Sequence, residues 1–174
     1  MDKLLSSRGL DLVRFKACHV FDFVNNMSAE SKKEMLEIHN LDPLAALVPL
    51  IKDPLTHCVL KDNVPLAVVG LVEQEPDDDG RTAHIWALFA EDIKKNRLAF
   101  LRASIDLIKY YHTQFPTIHG SIWTGNMPIV NWMFFLKFKT FCIEEKHGES
   151  FIGFVRCVRS NFQSEGELSR PVLH

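Results

Sequence analysis

The stretch from Thr82 to Trp123 constrains this chain more than any other. Thr82–Phe89 is apolar and aromatic with a period of two, the pattern of a strand. Glu91 and Asp92 then open a long helix expected to reach His112, with its acids at the positive end of the helix dipole. Pro116 breaks that helix, and Ile118–Trp123 reads as a second strand. A strand, a helix and a strand in succession require a parallel crossover. The chain therefore builds a sheet with at least one parallel pair and a helix across one face.

The flanking segments extend this core. Leu12–Phe15 reads as a short strand, and Ala17–Asn26 groups Val20, Phe21, Phe23 and Val24 at helical spacing. Ser28 has the form of a helix cap with Glu30 in the first turn, and that helix is expected to run to about His39. Asp42 and Pro43 start another helix, Asp as cap and Pro at the first helical position, with Leu44, Leu47, Val48 and Ile51 on its face. Thr56–Lys61 and Pro65–Glu73 form a hairpin about Asp62-Asn63. An acidic loop, Asp77-Asp78-Asp79-Gly80, leads into the central crossover, whose helix should bury Leu98, Leu101, Ile105 and Ile108. After it, Asn126 caps a helix, and Lys139–Glu145 and Ser150–Val158 make a last hairpin around Gly148. The order implies an α/β fold, a mixed sheet with helices on both faces. Residues 1–158 form one domain and 159–174 a polar tail.

Composition excludes several classes. At 174 residues with 47% apolar and 24% charged side chains, the chain can bury a core of its own. A net charge of −2 and scattered basic residues give no footprint for nucleic acid. Cys18, Cys58, Cys142 and Cys157 lie far apart with no histidine at ligand spacing, so no metal site is expected and free thiols are. The N-terminus lacks a signal-peptide core, and no apolar run approaches the roughly 20 residues of a membrane span. These features lead to the expectation of a soluble protein of the cytoplasm.

The element order, the segment FLRASIDLIKYYHTQFPTIHGSIWTGN and the closing hairpin carry a resemblance. So does Asn126 followed by Ile129, Trp132 and Leu136-Lys137-Phe138, which has the spacing of a late Asn, helix, Leu-Gly-Phe signature. The chain resembles the acyl-CoA N-acyltransferase (GNAT) fold from about Leu44 to Val158. Within it the chain resembles GNAT-like proteins of short-tailed bacteriophages, including their internal virion protein. The resemblance implies that Thr82–Phe89 splays from Ile118–Trp123, with the pantetheine arm of acetyl-CoA in the gap. It places cofactor contacts at Leu88, Phe89, Lys94, Lys95, Arg97 and Asn126.

The chain departs from that family at two places. An active member has a Gly-rich loop after the splayed strand, whose amides close on the pyrophosphate at a helix N-terminus. Here the sequence is AEDIKKN, with no glycine between Gly80 and Gly120 and with Glu91 and Asp92 facing the phosphates. Many members carry a Tyr seven residues after the Asn as the acid for the leaving thiolate. This chain has Met133, whose thioether cannot donate a proton, and Lys137 stands in place of the Gly.

Candidate site residues each have a plainer reading. Glu73, at a strand end, is a candidate general base or a surface carboxylate. His84 shares a strand face with Trp86 beside the cleft and is a candidate base or a structural histidine. His119 on the neighbouring strand offers the same choice. Asn126 faces a ligand, caps its helix, or does both. If Ile129, Met133 and Leu136 face the sheet, Trp132 and Phe135 lie on another side. They then form a contact surface or are covered by the N-terminal helices or the tail.

Three readings of function follow as expectations. In the first, a phage-encoded GNAT-fold protein binds no cofactor and acts by protein contact, in virion assembly or as a virion component. Its partner is a virion or host protein or a second copy, in the host cytoplasm or the particle. The alternative is an active acetyl-CoA-dependent N-acyltransferase acting on an amine of a host protein or small molecule. A third, weaker reading is an inhibitor of a host factor.

Overall fold

The chain is described by a computed structural model over residues 3–76 and 80–158. The acidic loop of the sequence reading falls at 77–79 and the polar tail at 159–174, both outside the described residues. Strands β1 (Lys3–Ser7) and β2 (Leu10–Arg14) open the chain, followed by helices α1 (Ala17–Asn25), α2 (Ala29–Lys33) and α3 (Pro43–Leu47). Next come β3 (Thr56–Lys61), β4 (Val64–Glu73) and β5 (Thr82–Phe89), then α4 (Arg97–His112) and β6 (Thr117–Trp123). Helix α5 (Met127–Phe135), β7 (Lys139–Lys146) and β8 (Glu149–Cys157) complete the order. The strands form one sheet, β1-β2-β3-β4-β5-β6-β8-β7, antiparallel except for the β5–β6 pair. This is the mixed α/β sheet that the crossover requires.

Local chemistry explains the element ends. The Ser28 hydroxyl accepts from the Ser31 N–H at 3.2 Å, and the Asp42 carboxylate accepts from Ala45 at 2.8 Å with Pro43 in the first turn. Asp62 and Asn63 both have positive φ, 50° and 66°, as a two-residue hairpin turn between right-twisted strands demands. The same device appears at Arg8-Gly9 and His147-Gly148. The Arg8-Gly9 hairpin joins β1 to β2, and the sequence reading lacked it. β1 is an edge strand with no fully buried residue, so it has no apolar run to announce it.

Helices flank both faces. Val20 and Phe23 of α1 and Leu47 of α3 pack with Val13, Cys58 and Val68 on one face. Phe100, Leu107, Ile108 and Tyr111 of α4 pack with Val69, Leu71, Ile85 and Ile118 on the other.

Two expected helix faces are corrected. On α4 the buried stripe is Phe100, Ala103, Ser104, Leu107, Ile108 and Tyr111, and Leu98 is 70% exposed. Residues 91–96 form a separate 3-10 turn, so the helix begins later and the large rings set its inward face. On α5 the inward residues are Val130, Trp132, Met133 and, just beyond, Leu136. Trp132 follows Ile129 by three residues and precedes Leu136 by four, so it belongs to their face. Of the two readings left open for these rings, a contact surface or a covered pair, Phe135 is 44% exposed and Trp132 is covered, at 8%, against Phe89 and Phe100.

Candidate functional site at a fork in the sheet

β5 and β6 pair through only three residue couples, Thr82–Thr117, Ala83–Ile118 and His84–His119. Beyond His84 the strands part, while β5 stays fully laddered to β4 as far as Phe89. At the throat, a Cβ on Gly120 would lie 2.9 Å from the Ile85 carbonyl oxygen, so the two backbones begin to separate from near-contact. On the outer side of β5, the Trp86 indole covers Gly70, where a Cβ would sit 2.2 Å from the ring.

Two cavities, each of about 360 Å3, open at the fork and share Ile129 and Trp132 in their walls. The first lies toward α2 and α3. Its walls include Met35, Leu47, Trp86, Leu88 and Met133, and its polar side chains are Glu34, His39 and Ser121. The second lies toward the start of α4 and is lined by Phe89, Lys94, Arg97 and Asn126.

Glu34 begins a π-helical turn, Glu34–Ile38, in which the His39 N–H donates to the Glu34 carbonyl at 3.0 Å. Such turns are rare and are found disproportionately at functional sites. The turn holds the Glu34 side chain at 18% exposure against the cavity, with His39 Nε2 3.9 Å from its carboxylate. Burial raises the Glu34 pKa above the ordinary carboxylate value, and a hydrogen bond from Asn126 works the other way. Burial lowers the His39 pKa, with further help from His147 and Lys146. Asn126 occupies the N-cap position of α5, 3% exposed, and makes no side-chain cap bond. Its amide instead hydrogen-bonds to the Glu34 carboxylate.

The segment after β5 is held by its own neighbours. Ala90 N–H donates to the Leu66 carbonyl at 2.9 Å and Glu91 N–H to the Asn26 carbonyl at 2.7 Å. Lys94 pairs with Glu91 at 2.7 Å and Glu30 at 3.6 Å, and Lys95 pairs with Asp92 at 2.7 Å. Asp92 also accepts from the Asn26 amide at 3.0 Å. Among the described residues Arg97 has no ion pair, which leaves it as the free cation of the second cavity.

The expected site residues scatter. Leu88 lines the first cavity, and Phe89, Lys94, Arg97 and Asn126 line the second. Glu73 lies away from both, exposed at the end of β4, where Arg81 at 2.7 Å holds its carboxyl below the usual carboxylate range. His84 packs edge-on against His119, ring centroids 5.1 Å apart, below the fork, and burial lowers the pKa of both. Lys95 and Phe135 line neither cavity. Sequence reasoning missed Glu34, His39 and Ser121. Glu34 follows Ser-Lys-Lys and is indistinguishable from a solvated helix charge until the π turn rotates it inward.

Among the described residues no group of three or more His, Cys, Asp or Glu is placed to hold a metal ion. No described helix is long and apolar enough to cross a membrane.

No protein-family model matches the sequence, and no curated protein matches it. Solved structures do match. A GNAT-family acetyltransferase from Streptococcus agalactiae aligns with a TM-score of 0.71 at 9% identity, over 90% of this chain and 99% of that one. An aminoglycoside N(6')acetyltransferase from Legionella pneumophila aligns with a TM-score of 0.70 at 10% identity, over 88% and 94%. The ribosomal alpha-N-protein acetyltransferase RimL, in complex with coenzyme A, aligns with a TM-score of 0.66 at 12% identity, over 90% and 98%. At such identities the likeness is one of fold: the chain has the GNAT acetyltransferase fold.

Proposed function

We propose that the fork is an acyl-transfer site, taking an acyl thioester on a pantetheine arm and passing the acyl group to an amine. The observation that supports this most is the end of the β5–β6 ladder at His84–His119, above which two cavities meet at Ile129 and Trp132. A narrow arm fits between the parted strands, and Leu88, Phe89, Ile129 and Asn126 would hold it there. The pyrophosphate end fits less well, since the Ala90 and Glu91 amides are already donated and Lys94 and Lys95 are already paired. Arg97 is the cation left for it.

When bound, the thioester supplies the acyl group: its C–S bond breaks as the amine nitrogen forms the new C–N bond, and the thiolate takes a proton. The chain's own part is to exclude water with Leu47, Trp86, Leu88 and Met133 and to hold the proton that the nitrogen gives up. Glu34 and His39 are the groups facing the cavity that can do so. Met133 cannot donate a proton, so water or another side chain supplies the one taken by the thiolate.

A second reading is a protein that acts by contact, in virion assembly or against a host factor, with the fork as a relic. The committed loop amides and paired lysines favour it. Titration calorimetry with acetyl-CoA and a free-thiol assay over a panel of amines decide between the two. Thiol release that depends on both substrates supports transfer. No heat at millimolar acetyl-CoA and no thiol release remove the transfer reading.

A further inference from the structure

The first cavity has a composition that says more than its shape. Its walls are apolar and aromatic, Met35, Leu41, Leu50, Ile85, Trp86 and Met133 among them. Glu34 is the one acidic residue in the lining, and the lining contains no Lys or Arg. A carboxylate in apolar surroundings with no cationic partner carries an uncompensated desolvation cost. Among the described residues, the neighbours of that carboxylate are the Asn126 amide and the His39 imidazole. Asn126 leaves lone pairs of the carboxylate open, and a neutral imidazole brings no charge. A ligand cation seated at Glu34 completes the pair in a medium where charges attract more strongly than in water.

We propose that the Glu34 carboxylate is the anchor for a primary ammonium group whose apolar stem lies along Leu47, Trp86 and Met133. The inference rests on the acyl-transfer reading for its purpose, since this ammonium would become the attacking amine, and it narrows the acceptor to apolar-stemmed primary amines. A polyamine or a lysine flanked by charges fits poorly, because the walls offer no second carboxylate. His39, 39% exposed at the cavity mouth, sits between Glu34 and solvent and leaves an outlet for a proton.

The test uses the intact chain, with no thioester present. Wild-type protein is titrated by calorimetry at pH 7.5 with n-hexylammonium chloride and, separately, with 1-hexanol. The ammonium should bind at least about tenfold more tightly than the alcohol, the range of a charge-assisted hydrogen bond. In Glu34→Gln, nearly isosteric and without charge, that preference should vanish while the alcohol's affinity stays. Equal binding of ammonium and alcohol to the wild type overturns the proposal, and so does a preference that persists in Glu34→Gln. The wild-type comparison alone decides the matter if the variant fails to fold. Because no acyl donor is added, failure of acyl transfer and failure of the ammonium site are read in separate experiments.

Discussion

The indole N–H of Trp132 donates to the Ser104 hydroxyl at 2.9 Å, buried between α5 and α4. The ring also meets Phe89 edge-on and Phe100 at a tilt, with centroids 5.6 and 5.2 Å away. Trp132 is thus the side chain that joins the crossover helix to the fork and forms part of both cavity walls. Ser104 passes its own proton to the Leu101 carbonyl at 2.7 Å, so its oxygen is free to accept.

Truncating that ring should be severe. Trp132→Ala is expected to cost about 3–5 kcal/mol, the range for large aromatics in a core. Ser104→Ala leaves a buried indole N–H unpaired and is expected to cost about 1–3 kcal/mol. Phe135→Ser, at a 44% exposed position, should change stability by no more than about 0.5 kcal/mol. Urea denaturation of the three variants checks the ranking. A stability loss in Phe135→Ser equal to that in Trp132→Ala would contradict the assignment of the inward face.

His57 gives the chain an acid limit. Its Nδ1 is 3.0 Å from the Tyr111 hydroxyl, and burial lowers its pKa to about 4. The folded pKa lies below the unfolded one, so the unfolded chain binds the extra proton between them. The stability from a neutral His57 is therefore complete above about pH 6.5 and declines as pH falls toward 4. The loss amounts to about 3 kcal/mol at most. His57→Gln keeps a partner for Tyr111 and should flatten the slope of stability against pH in this window. An unchanged slope would mean that other groups carry it.

The charge of the segment after β5 should limit thioester binding. Glu91→Gln with Asp92→Asn frees Lys95 and leaves Lys94 only its 3.6 Å pair with Glu30, and exposed ion pairs of this kind add little to stability. The double variant should fold normally and bind acetyl-CoA about three- to tenfold more tightly at low salt. The gain should shrink near 1 M salt, where charges are screened within about 3 Å. Calorimetry at two ionic strengths reads it, and an unchanged affinity would place the weak point elsewhere.

Gly120 should be intolerant of a side chain. A Cβ there would meet the Ile85 carbonyl at 2.9 Å and the Ile85 side chain at 3.2 Å. Gly120→Ala is expected to cost about 1–3 kcal/mol by overpacking the throat. Thermal unfolding measures it, and a neutral result would show that β5 and β6 separate more freely than their register suggests.

The sequence alone determined the parallel crossover, because a strand, a helix and a strand leave few other ways to bury one apolar face each. It also determined the Asp62-Asn63 and His147-Gly148 hairpins and the capping at Ser28 and Asp42, since turns and caps depend on residues a few positions apart. The inward face of α5 was legible only in part: Ile129, Met133 and Leu136 marked a stripe, but its width, which takes in Trp132, depends on Phe89, Phe100 and Ser104 of distant segments. The site was decided by the tertiary structure. Glu34 and His39 share one π turn while Ser121 lies on β6, far along the chain, and no short-range pattern in the sequence links all three. The folded chain links them because the β5–β6 ladder stops at His84–His119 and the π turn of Glu34–Ile38 faces that opening. A carboxylate is a surface charge or a buried anchor according to what is folded around it, and that is a property of packing, not of spacing.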